Sequence, residues 1–102
     1  MLIKFIFKKR REMLYAGYYT TLDSCWIKIS YDLEILKREW CFGMVIFEAP
    51  GLTYDELQKR FPNNPDRYDI FNWLKENYQE IHRDGVPEDG VNNKFDAFII
   101  NS

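Results

Sequence analysis

The stretch from Cys25 to Glu48 constrains the fold of this chain more than any other. Ile27, Ile29, Tyr31, Leu33 and Ile35 alternate with Lys28, Ser30, Asp32 and Glu34. A period of two puts all of these apolar side chains on one face of a strand, whereas a helix would scatter them around its circumference. Trp40, Phe42, Met44 and Ile46 form the next apolar row, with the opposite parity. With Lys37 and Arg38 as the turn of an antiparallel hairpin, Ile35 falls opposite Trp40, Leu33 opposite Phe42, Tyr31 opposite Met44 and Ile29 opposite Ile46. Every pair is then apolar and on one face, and Cys41, Gly43, Val45 and Phe47 point the other way. Lys-Arg lacks the Asn-Gly or Gly of a two-residue hairpin loop, so a four-residue loop of the same parity fits nearly as well. A rival reading winds Asp32 to Trp40 into a short helix with Leu33, Leu36 and Trp40 inward.

Other segments extend this sheet. Residues 2–7 read as a short strand, and the following Lys8, Lys9, Arg10 and Arg11 as its solvated end rather than a patch for nucleic acid or anionic lipid. Residues 1–12 are treated as a peripheral N-terminal extension. A start at Met13 is the alternative, because Lys-Arg-Arg-Glu before a methionine can be encoded by a purine-rich stretch resembling a bacterial ribosome-binding site; the intact mass of the natively expressed protein distinguishes the two. Met13 to Thr21, rich in Tyr and Thr, reads as a strand that enters the hairpin as the first member of a meander, with Gly17 marking a bulge, a close backbone approach or a plain loop position.

Glu48-Ala49-Pro50-Gly51 stops the third strand, and a helix follows. Thr53 is its N-cap, Glu56 the capping-box partner, and Leu52 and Leu57 form a hydrophobic staple. Pro62 ends this helix by disfavouring helical geometry at Phe61. Asn64 then caps a second helix with Pro65 at its first position and Asp66 at the positive end of the dipole. Ile70, Phe71, Leu74, Tyr78 and Ile81 form its buried stripe as far as His82, with Gly85 as the C′ residue. Val86 to Asn93 is a turn-rich acidic loop, and 95–100 is a closing strand that is apolar on both faces and therefore interior. The expected fold is α+β in a single domain spanning 1–102. Its antiparallel sheet has four to five strands, about 2–7, 13–21, 25–36, 39–48 and 95–100, with two helices, about 53–61 and 65–82, packed on one face.

Composition excludes more functions than it supplies. At 102 residues the chain makes one domain that buries somewhat over ~60% of its unfolded surface. No apolar run approaches the ~20 residues of a membrane span, and Met1 to Phe7 is too short and too closely followed by charge for a signal peptide. Cys25 and Cys41 lack metal-ligand or C-x-x-C spacing and do not face each other in the expected register, so they read as reduced thiols of a cytoplasmic protein. The single histidine, His82, reads as a helix-terminal residue rather than a general base. Asp32 and Glu34 have ordinary neighbours, the 86–93 loop lacks calcium-ligand spacing, and no nucleotide-binding, hydrolase or zinc motif is present. Neither catalysis nor a metal or other cofactor is expected.

Charge and aromatics point instead to a binding role. Residues 1–52 hold eight Lys/Arg against six Asp/Glu, and residues 53–102 hold six against ten, so +2 and −4 give the overall −2. The span 65–82 has Arg67 and Lys75 against Asp66, Asp69, Glu76 and Glu80. That balance is wrong for a helix in the major groove, so a winged-helix-like nucleic-acid-binding regulator ranks second. With eighteen Trp, Tyr and Phe, some rings are expected at the surface, where they anchor partners. The expected function is a small non-catalytic protein-interaction domain that occludes a basic, nucleic-acid-processing partner. Toxin immunity proteins and phage anti-defence proteins share this physical profile, and no motif links the chain to either. Tyr68 and Trp73 are the expected anchors, and Asp66, Asp69, Glu76, Glu80, Glu88 and Asp89 supply the field.

Overall fold

Tyr18 and Tyr19 are neighbours in sequence, and both are fully buried. That combination requires a strand covered on both sides, because successive side chains point to opposite faces. The computed structural model describes residues 12–22, 24–63, 66–90 and 98–100. It places this strand, β1 (Tyr15–Thr20), in the middle of a sheet ordered β4-β3-β1-β2-β5. β2 (Cys25–Ser30) and β3 (Gly43–Glu48) flank β1, both antiparallel. β4 (Gln79–Asp84) pairs antiparallel with β3, and β5 (Phe98–Ile100) pairs parallel with β2. Three helices complete the described part of this α+β fold: α1 (Leu33–Lys37), α2 (Tyr54–Arg60) and α3 (Arg67–Asn77).

The larger core lies on one face of the sheet. Ala16 and Tyr18 of β1, Cys25 and Ile27 of β2, and Val45 and Phe47 of β3 meet Leu57 of α2 and Ile70, Phe71 and Leu74 of α3. Each fully buried Leu, Ile or Phe contributes about 1.5–3 kcal/mol, so this layer dominates stability. The opposite face is smaller: Tyr19, Met44 and Ile46 pack with Leu36 of α1. The Tyr19 hydroxyl donates to the Leu36 carbonyl at 2.9 Å, tying α1 to the central strand.

The expected hairpin between 25–36 and 39–48 does not form. The two strands lie on opposite sides of β1, and β2 stops at Ser30. The next residues make α1, as in the rival helical reading. The Ser30 hydroxyl accepts from the Asp32 amide, and the Asp32 carboxylate accepts from the amides of Glu34 and Ile35. This cap competes directly with a continued strand. A five-residue helix is far below the length that is stable alone, about 12–15 residues. Leu36 burial and the Tyr19 bond therefore hold it, while Ile35 is exposed. Trp40 also points outward, and the row assigned to the wrong side of the sheet, Val45 and Phe47, faces the main core.

The helical half follows the sequence closely until residue 77. The Thr53 hydroxyl accepts from the Glu56 amide at 3.1 Å, Leu52 and Leu57 are both buried, and α2 ends with Phe61 as its C-cap before Pro62. Asp66 rather than Asn64 caps α3, its carboxylate accepting from the Tyr68 amide at 2.7 Å. The expected helix to His82 ends at Asn77 instead. Gln79 to Asp84 become β4, so His82 lies on a strand and Ile81 is exposed at a bulge opposite Ile46/Phe47. Pairing with β3 supplies ladder bonds that outweigh the helical periodicity of this stretch. Gly85 is thus the residue after a strand, not a helix C′ position, and its φ is 72°. β5 sits at an end of the described sheet rather than in its interior, and only Cys25 to Ile27 pair with it. Beyond its reach, the Ile29 amide donates to the Tyr54 hydroxyl at 2.7 Å. The expected strand 2–7, most of the N-terminal extension, the Asn64-Pro65 pair and residues 95–97 lie outside the described residues.

Gly17 is neither bulged nor looped; it lies in regular register, and a Cβ there would strike the Tyr19 ring. Gly90 is a second tight position. With φ of 79° it accepts the Tyr18 hydroxyl proton at its carbonyl, and a Cβ would strike the Phe71 ring. Gly51 has the same φ of 79° but open space around it. Gly51→Ala is expected to cost about 1 kcal/mol from the backbone alone. Gly90→Ala is expected to cost a further 1–3 kcal/mol or so from the collision with Phe71. Urea unfolding of the two variants measures the difference, and equal losses would show that the Phe71 contact is not rigid.

Candidate functional site

The outward face of α3 carries a helical stripe: Asp69, Asn72, Trp73 and Glu76 stand at i, i+3, i+4 and i+7. Together with Arg60 and Phe61 from the end of α2, these residues line a shallow cleft of about 430 Å³ between the two helices. Trp73 is half-buried. Phe61 and Tyr78 meet it edge-on, with ring centroids 5.8 and 5.6 Å away at 73° and 82°. The Arg60 guanidinium lies over the indole, 4.9 Å from the ring centroid, and its Nε pairs with Glu56 at 3.2 Å. Among the described residues, neither Asp69 nor Glu76 has an ion-pair partner. The lining therefore nets one negative charge: two carboxylates against the guanidinium of Arg60.

The sequence-derived site residues are distributed among several environments. Asp69, Trp73 and Glu76 come together in the cleft. Asp66 and Tyr68 lie at the start of α3, where Asp66 acts as the cap and Tyr68 is 37% exposed. Glu88 and Asp89 are exposed at the turn after β4, where Lys75 Nζ donates to the Glu88 carbonyl at 3.3 Å. Glu80 is engaged elsewhere. On β4 it faces the helix-covered side of the sheet, and its two carboxylate oxygens accept from Arg83 Nε and Nη2 at 2.8 and 2.6 Å. The same guanidinium donates to the carbonyls of Val86 and Pro87, fastening the following turn to the sheet.

Arg60, Phe61 and Asn72 were not among the sequence-derived candidates. Asn72 could have been found from its helical spacing with Asp69, Trp73 and Glu76. Arg60 and Phe61 could not, because their position depends on how the chain between α2 and α3 returns. A second aromatic surface was missed for the opposite reason, having been assigned to the core. Trp40 is 72% exposed and Phe42 53%, their rings 5.4 Å apart ahead of β3.

Comparison with family models, curated proteins and solved structures finds no match. The chemistry of the chain is therefore read from its own groups. Among the described residues no group of three or more His, Cys, Asp and Glu could hold a metal ion, and no helix is long and apolar enough to cross a membrane. Cys25 is buried and Cys41 half-buried, and they are not bonded to each other. Burial, reinforced by Glu39 and Asp84, pushes the Cys41 thiol above its ordinary pKa, which lowers its thiolate fraction at neutral pH. Burial likewise pushes the phenols of Tyr18 and Tyr19 well above the ordinary tyrosine range.

The hydrogen bonds from Arg83 hold the Glu80 carboxyl below its ordinary value. A carboxyl with a depressed folded-state pKa stabilises the fold above its unfolded pKa of about 4.3 and loses that contribution as pH falls through the folded value. Glu80→Gln is expected to lower stability at neutral pH by up to about 1 kcal/mol, given that the pair is partly exposed. The gap to wild type should close below about pH 4. Urea unfolding across a pH series reads this directly, and a gap independent of pH would remove the pair from the account.

Proposed function

We propose that this protein is a small non-catalytic interaction domain that binds a basic protein partner through the cleft between α2 and α3. In this reading it works in the cytoplasm and inhibits a nucleic-acid-processing partner by covering its phosphate-binding surface. The observation that carries the reading is the placement of Asp69 and Glu76, which have no ion-pair partner among the described residues, in one cleft with the half-buried indole of Trp73. Aromatic anchors surrounded by complementary charge supply much of the energy of protein interfaces, and rim charges speed association. Asp66 at the start of α3, and Glu88 and Asp89 in the nearby turn, extend the negative field. Tyr68 adds a second exposed ring.

The nucleic-acid-binding alternative needs cations on the outer face of α3. Arg67 is buried, and Lys75 is drawn to the Glu88 carbonyl and the face of Phe71. The residues left facing outward, Asp66, Asp69 and Glu76, would repel a phosphate backbone.

Capture experiments on lysate of the source organism, run with wild-type protein and with an Asp69→Asn/Glu76→Gln double variant, test the proposal. The wild type is expected to retain a basic protein at low salt and lose it at high salt. The double variant should bind that protein about tenfold more weakly, the sum of two exposed charge contacts of roughly 0.5–1 kcal/mol each. Purified partner should in turn lose its hold on nucleic acid when the domain is added. Equal capture by both proteins would overturn the assignment of the cleft. Salt-sensitive binding of the domain itself to duplex DNA would favour the alternative.

A further inference from the structure

The stack of Arg60 on Trp73 deepens the interaction reading above and rests on it. We propose that the α2–α3 cleft is a receptor for one arginine side chain projecting from the partner, and that Arg60 occupies the indole face in the unbound protein as a built-in competitor. Three observations lead there. The first is the platform: Phe61 and Tyr78 both pack near-perpendicular to Trp73, with centroids 5.8 and 5.6 Å away, and so fix the position of the indole. The second is that a group of the right chemistry is already over the indole, the Arg60 guanidinium at 4.9 Å from the centroid. Guanidinium stacks on aromatic faces better than ammonium because it is planar and weakly hydrated.

The third observation is an imbalance in hydrogen-bonding capacity. A guanidinium carries five N–H donors and needs acceptors around its rim. Arg60 turns its Nε toward Glu56, on its own helix, and leaves Asp69 and Glu76 across the cleft without an ion-pair partner among the described residues. Asp69 stands one turn before Trp73 on α3, and Glu76 about one turn after it, with Asn72 between them. The indole, both carboxylates and the Asn72 amide all line this cleft, so an arginine entering from outside finds a ring and acceptors within one recess. Arg60 can then withdraw with Glu56 toward solvent, since their side chains are already about half exposed. A cleft of about 430 Å³ has room for the incoming group.

Short peptides separate this proposal from general charge attraction. The probes are acetyl-Gly-Arg-Gly-amide and its lysine and citrulline counterparts, added to the intact protein at up to about 10 mM, the range of a single side-chain contact. The indole N–H resonance of Trp73, assigned with Trp73→Phe, reports occupancy. The arginine peptide is expected to shift it, the lysine peptide to bind several-fold more weakly, and the citrulline peptide to leave it unmoved. Arg60→Gln should tighten the arginine peptide about three- to fivefold by removing the competitor, and Asp69→Asn should weaken it by a similar factor. Lys59→Gln is the control. It removes the same charge one residue away, from a lysine paired with Asp55, and should change affinity less than about twofold. Equal effects of Arg60→Gln and Lys59→Gln, equal shifts with arginine and lysine, or no shift at all would overturn the proposal. If a partner is nonetheless captured in a manner that depends on Asp69 and Glu76, the interaction reading survives without the arginine receptor. If no partner is captured but the peptide results hold, the receptor stands and the inhibitory role falls.

Discussion

Everything in this fold hangs from the two tyrosines set back to back in β1. Tyr18 points into the layer beneath α2 and α3, where its ring packs 4.8 Å from Phe71 and its hydroxyl reaches Gly90. Tyr19 points into the other layer, stacks on Trp26 at 5.6 Å and reaches the Leu36 carbonyl. A buried phenol must satisfy its hydroxyl or lose the free energy of a hydrogen bond. Each of these rings therefore holds one remote backbone segment against the sheet. The central position of β1 follows, because only a strand with neighbours on both sides keeps both rings dry.

The parts of the fold that could be read from the sequence are those with a local physical cause. Thr53, Glu56, Leu52 and Leu57 announce the start of α2 because capping and stapling involve residues only three and five apart. Ile70, Phe71 and Leu74 mark the buried side of α3 for the same reason. What was not legible depends on choices between distant segments. The alternation from Ile27 to Ile35 is a sound strand signal, yet Asp32 interrupts it with a cap, and five residues of helix follow. Periodicity registers hydrophobic rows but not which strand they will pair with. β1, whose Tyr-rich run is apolar on both sides, is the member that both flanking strands prefer. The stretch from Gln79 to Asp84 shows the same limit, since its helical pattern yields to a ladder with β3.

The candidate site was half visible for similar reasons. Asp69, Trp73 and Glu76 are separated by helical intervals, so one helix face unites them whatever the rest of the fold does. Glu80 was grouped with them only by extending that helix beyond Asn77, and its transfer to a strand turned it toward Arg83 instead. The parity argument that misplaces the hairpin also puts Trp40, the most exposed indole, in the interior. Negative charge at the helical half was independent of these errors, and it survives in the arrangement of Asp66, Asp69, Glu76, Glu88 and Asp89.

β1 and β2 are joined by a tight connection and can zip together early, but β5 must return across most of the chain to lie beside β2, and it does so through a three-residue parallel ladder. Closing so long a loop is entropically costly, and few contacts compensate for it. Local release of this short strand is therefore expected to set amide exchange only for the β2 groups directed at β5, while those paired with β1 stay within the larger sheet.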